Sequence, residues 1–97
     1  MLRLVFTERA QADLLEAWLY FAEDNLGAAD QVLDTIEQES KVLLNQPLMG
    51  RARPELGSQV RSWPSATRYI LFYDVDGSEL TVLRVLHHAR DVRLASF

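Results

Sequence analysis

Apolar side chains change their spacing at Pro47, and that change leaves few architectures open to this chain. Residues 8–46 repeat apolar positions with the period of a helix, whereas the stretch after residue 59 gathers aromatic and β-branched residues in short runs typical of strands. A helical pair followed by a run of strands favours an α+β domain with the helices on one face of a sheet. At 97 residues the chain can bury one modest core, so a single domain over residues 1–97 is expected.

The segments can be placed from local signals. Leu2, Leu4 and Phe6 alternate with Arg3 and Val5, as in a short first strand. Thr7 is an N-cap candidate, with Glu8 suited to the first helical turn. The first helix is expected to run to about Asn25 with Gly27 as its stop, and the second from Ala28 to Gln46, closed by Pro47. Residues 47–59, with Pro47, Gly50, Pro54 and Gly57, read as an irregular connection. Strands are expected over Val60–Trp63, stopped by Pro64, and over Tyr69–Val75 and Leu80–Leu86, the last two joined by an Asp76-Gly77 hairpin. The resulting order is β-α-α-β-β-β: a two-helix hairpin packed on one face of a small, mainly antiparallel sheet.

Helical geometry sorts the first helix into faces. Ala10, Leu14, Ala17, Trp18 and Phe21 form an apolar stripe, and Arg9, Asp13, Glu16, Tyr20, Glu23 and Asp24 fall opposite it. Leu15, Leu19 and Ala22 widen the stripe beyond what one core contact needs. Either the second helix covers this surplus or a partner docks there. The second helix places Ala29, Val32, Leu33, Ile36, Leu43 and Leu44 on one side, as a core-facing helix does. In the last strand, alternation sets Leu83 and Val85 against Leu80, Val82, Arg84 and Leu86, which leaves Arg84 among apolar neighbours.

The net charge of -4 conceals a division. Residues 1–50 hold three basic and nine acidic groups; residues 51–97 hold seven arginines, no lysine and five acids. Arginine suits planar, directional contacts to carboxylate, phosphate or aromatic surfaces. With no cysteine, a disulfide or a thiolate metal site is excluded, and a reducing cytoplasm suits the chain. The opening apolar run is too short for a signal peptide, and no run approaches the roughly 20 residues of a membrane span. A cytoplasmic location is expected. Neighbouring strand side chains face opposite ways, so His87 and His88 without a third ligand do not suggest a metal site. No cofactor is expected.

Several blocks, in order, carry a family resemblance. They are Tyr20-Phe21-Ala22-Glu23-Asp24-Asn25, Ala28-Ala29-Asp30, Pro47-Leu48-Met49-Gly50-Arg51 and Arg53-Pro54-Glu55-Leu56-Gly57. Val60-Arg61-Ser62-Trp63-Pro64, Tyr69-Ile70-Leu71-Phe72-Tyr73 and above all Val82-Leu83-Arg84-Val85-Leu86-His87-His88-Ala89-Arg90-Asp91-Val92 complete the series. In this arrangement the sequence resembles the toxins of the ParE/RelE superfamily, on the ParE branch. The resemblance implies the toxin of a type II toxin-antitoxin system, held by a ParD-like ribbon-helix-helix antitoxin, with DNA gyrase as target. It further implies a heterotetramer or larger assembly with the antitoxin, and nucleic acid bound only through that partner. Leu15, Leu19 and Ala22 become candidates for the antitoxin contact. Arg61, Trp63, Arg84, His87, Arg90 and Arg93 become candidates for the gyrase contact, since tryptophan and arginine often dominate interfaces.

The RelE branch cleaves messenger RNA on the ribosome, a reaction that needs an acid, a base and cationic groups around the phosphorus. His87 or His88 would then serve as acid or base, with Arg61, Arg84 and Arg90 as the phosphate clamp. Three features speak against this alternative. The central loop offers only Arg51 and Arg53, diluted by Glu55; Arg93 stands where those nucleases often have a tyrosine; and the net negative charge disfavours a polyanionic target. An inhibitor without catalysis is the better expectation. A non-toxic relic that only binds an antitoxin is a third reading.

Overall fold

A computed structural model describes residues 2–97. Its elements run β1 (Arg3–Phe6), α1 (Glu8–Ala22), α2 (Leu26–Asn45), β2 (Arg51–Ala52), β3 (Arg61–Pro64), β4 (Tyr69–Asp76) and β5 (Glu79–His87), with a 3₁₀ turn over Val92–Leu94. The α+β class and the helical hairpin are as the sequence implies. The connection read as irregular contributes one further strand, β2, because Arg51 and Ala52 pair antiparallel with Ser62 and Arg61. The five strands lie in the order β1-β5-β4-β3-β2, with β1 parallel to β5 and the other pairs antiparallel.

Thr7 caps α1 as expected: its hydroxyl oxygen accepts from Ala10 N at 3.0 Å, and the same hydroxyl donates to Leu83 O at 2.9 Å, tying the helix start to β5. The helix junction departs from the sequence reading. α1 ends at Ala22, and Asn25 caps α2 by accepting from Ala28 N at 3.0 Å. An asparagine cap satisfies an otherwise orphaned N–H, whereas Gly27 in the first turn carries no such bond, so the cap and not the glycine sets the boundary. The hairpin then closes through alanines, with Ala10, Ala17 and Ala29 fully enclosed, and through Trp18 Nε1 donating to Asp30 Oδ1 at 2.9 Å.

Leu71 and Tyr73 of β4 and Leu80, Val82 and Val85 of β5 meet Ala10, Ala17, Ile36 and Leu43 in the core. The regular alternation expected in β5 fails at one point. Phe72 pairs with Arg84 but Tyr73 pairs with Val82, so Leu83 is an extra residue in a β-bulge. Val85 thereby joins Val82 on the helix-facing side instead of opposing it, and Arg84 lies opposite Phe72 on the other face. The β4–β5 turn uses Gly77 at φ 58°, where a side chain would be strained.

The segment after α2 is anchored to the sheet by polar contacts. The buried Tyr73 hydroxyl donates to Pro47 O at 2.8 Å and accepts from Gly50 N at 2.9 Å, while Arg61 donates to Gly50 O at 2.7 Å and Leu48 O at 3.3 Å. Burial pushes the Tyr73 phenol above its ordinary range. A Cβ at Gly50 would lie 2.9 Å from Ser62 O, so this close approach admits only glycine.

Candidate functional site

The outward side of α1 is uncovered. Leu15 is 59% exposed and Leu19 52%, so the second helix does not cover the surplus apolar surface that they create; Ala22 is half-buried. α2 lies against the other flank, where Trp18 reaches Asp30. Two exposed leucines one turn apart on a helix form a continuous apolar strip.

Beside this strip, α1 and the end of β5 enclose a cleft of about 350 Å³ lined by Glu16, Tyr20, Tyr69 and His87. Tyr69 is held by edge-on contacts to His87 (centroids 5.6 Å apart, 86° between planes) and to Phe21 (6.5 Å). Burial, reinforced by the charges of Glu16 and Tyr20, pushes the Tyr69 phenol up. His87 Nδ1 accepts from Ala89 N at 3.2 Å, which puts the proton of a neutral ring on Nε2. His88 does not face away as strand alternation suggests. The chain leaves β5 at His87, and the two imidazoles stack 4.6 Å apart at 26°. Among the described residues no group of three His, Asp or Glu is placed to hold a metal ion.

A second construction crosses from α1 to the chain's last residues. Asp13 is not on a solvent face. It accepts from Arg84 Nε at 2.7 Å, Arg84 Nη2 at 2.9 Å and Val85 N at 2.9 Å, with both side chains about nine-tenths buried. β1 ends opposite Val82, so the β5 edge beyond it is open to α1, and Asp13 supplies the missing acceptor. The Asp13 carboxylate holds the Arg84 guanidinium above its ordinary range. Arg84 Nη1 then donates to Ser96 O at 2.7 Å, and the Phe97 ring lies edge-on to Phe72, 5.2 Å away. Arg53 covers the same phenylalanine at 5.6 Å from its ring centre. Phe72 is fully enclosed as a result.

Comparison with known proteins bears on this architecture. The sequence model described as "ParE toxin of type II toxin-antitoxin system, parDE" matches residues 4–92. The chain belongs to the ParE toxin family. A solved chain from the "Chromosomal ParDE TA system from P. aeruginosa" has the same fold, with a TM-score of 0.77 and 24% identity over 90% of this chain and 96% of that one. No curated protein matches closely enough to count as a relative.

On this ParE-family fold, the six residues proposed from sequence for the target contact do not form one surface. Arg84 is a correction: it is buried against Asp13 and Ser96 and offers no free face to a partner. Arg61 and Trp63 pair with Tyr73 and Leu71, which puts them on the helix-facing side of the sheet; Arg61 is engaged with the carbonyls after α2, and Trp63 packs against the core. His87 belongs to the α1 cleft. Arg90 and Arg93 are exposed. Arg93 pairs with Asp91 at 2.8 Å and lowers that carboxyl to about 2. Glu16, Tyr20 and Tyr69 carried no site assignment from sequence, and neither did Asp13 or Phe97. A lone acid on a helix or an aromatic near a chain end gives no local signal of its distant partner.

Proposed function

We propose that this chain is the toxin of a ParDE-type pair, that it acts by binding DNA gyrase without catalysing a reaction, and that a ParD-like antitoxin neutralises it by docking on α1. The family match over residues 4–92 carries the reading. The exposed Leu15 and Leu19 support the antitoxin seat, because apolar area left open on a small domain is stabilised most by a partner that removes it from water. The exposed Arg90 and Arg93 are the arginines of the target set left available for a protein contact.

The cleavage alternative loses support from the same geometry. Of the three arginines that would clamp a phosphate, Arg84 is bound to a carboxylate and Arg61 to two carbonyls. Gyrase supercoiling and DNA-cleavage assays with the purified chain, run beside primer extension on ribosome-bound messenger RNA, test the reading. Inhibited supercoiling without codon-linked cuts is the expected result. Normal supercoiling with clear cuts would overturn it, and a chain inert in both assays that still binds antitoxin would be the non-toxic relic.

A further inference from the structure

The α1 cleft has a composition that selects its occupant. Three aromatic rings, Tyr20, Tyr69 and His87, and one carboxylate, Glu16, line about 350 Å³, and no lysine or arginine is among them. The faces of aromatic rings attract cations, and a carboxylate beside them supplies a directional acceptor for a guanidinium. The opening is as large as a long side chain requires, and it stands in the acidic half of the chain, where residues 1–50 carry three basic against nine acidic groups. Asp13, the other carboxylate near the opening, is already bound to Arg84, which leaves Glu16 as the acid facing the cleft. Glu16 and Tyr20 both act on the Tyr69 phenol, so the three groups share one local field. Leu15 and Leu19 precede Glu16 and Tyr20 by one residue each, so the apolar strip runs alongside the cleft.

We propose that the cleft bounded by Glu16, Tyr20, Tyr69 and His87 receives an arginine side chain of the antitoxin, the charged anchor beside the apolar contacts of Leu15 and Leu19. This rests on the reading of α1 as the antitoxin's seat. Arginine fits better than lysine because its planar group can stack on a ring while its edge meets the carboxylate.

The first test needs no antitoxin. N-acetyl-arginine amide is titrated into the isotopically labelled chain, with N-acetyl-citrulline amide as the uncharged isostere, and the ring resonances of Tyr20, Tyr69 and His87 are followed by NMR. The arginine compound is expected to shift them with a dissociation constant on the order of 10 mM. Citrulline should leave them nearly still, and Glu16→Gln and Tyr20→Ala should each weaken the response. Both positions are at the surface, so these variants keep the fold. Equal responses to the two amides, or shifts confined to other residues, overturn the proposal. The second test measures the affinity of the co-expressed ParD-like antitoxin for Glu16→Gln and, separately, for Leu19→Glu. A loss of about fivefold for Glu16→Gln supports the anchor. If Leu19→Glu abolishes binding while Glu16→Gln changes nothing, the anchor is refuted and the α1 seat stands. If neither substitution matters, the seat itself is wrong and the anchor falls with it.

Discussion

The outward face of α1 and the sheet face opposite the helices are finished in opposite ways. On α1, Leu15 and Leu19 stay open to water beside a cleft with one carboxylate. On the sheet, Phe72 is fully enclosed, because Arg53 and Phe97 cover its ring while Ser96 is held by Arg84. A partner reaching α1 finds apolar area ready for burial. A partner reaching the sheet at Phe72 must first displace the chain's own last residues. Asp13 connects the two, being a residue of α1 whose carboxylate fixes the arginine that holds Ser96.

The sharpest way to break this contrast is to remove that connection. Arg84→Met leaves the Asp13 carboxylate buried without its guanidinium, and a loss of about 3–5 kcal/mol is expected from urea unfolding. The double variant Asp13→Leu/Arg84→Met should recover only part of it: no buried charge remains, but Val85 N loses its acceptor. A single-variant loss below about 1 kcal/mol would mean that the pair is not closed off from water as described.

Next in size is the α1 face. Leu15→Glu with Leu19→Glu should change folding stability by no more than about 0.5 kcal/mol, because both side chains already face solvent. Antitoxin affinity should fall about 100-fold. Global unfolding of this variant would contradict the exposed placement, and unchanged affinity would move the antitoxin elsewhere.

Phe97→Ala tests the sheet face and should cost about 1 kcal/mol in stability, the value of an edge-on aromatic contact with part of its area. It should also increase binding of a hydrophobic dye to the exposed Phe72 ring, with antitoxin affinity unaltered. If dye binding stays flat, Arg53 alone seals that face.

The smallest effect concerns the exposed pair after β5. Its lowered carboxyl means that Asp91 keeps its charge, and its bond to Arg93, at any pH above about 2; the pairing disappears as pH falls through that value. An NMR titration of the Asp91 carboxyl should give that midpoint, and Arg93→Gln should raise it toward the roughly 3.9 of a free aspartate. A midpoint unmoved by the substitution would assign the shift to another group.

What could be read from the amino acids alone follows the range of the interactions involved. The helices, their hairpin and the β4–β5 turn are written locally, in the Thr7 cap, the apolar period and Asp76-Gly77, and the structure has them there. The boundary between the helices is not where Gly27 suggests, because the Asn25 cap outcompetes that louder punctuation mark. Helical periodicity places Asp13 toward solvent, because its partner lies 71 residues away and the period carries no information about distant charges. The bulge at Leu83 is invisible to a period-two count, yet it decides which way Arg84 points. The same blindness explains why six arginine, tryptophan and histidine positions that looked alike in sequence divide among the core, the cleft and the surface.

Arg84 grips Ser96 by its main-chain oxygen and ignores the side chain there. Substitution at position 96 therefore leaves the grip intact, whereas inserting or deleting one residue between Asp91 and Phe97 would bring a different carbonyl under the guanidinium and a different side chain over Phe72. The spacing of that segment, and not the side chain at position 96, sets which carbonyl Arg84 holds and which ring lies over Phe72.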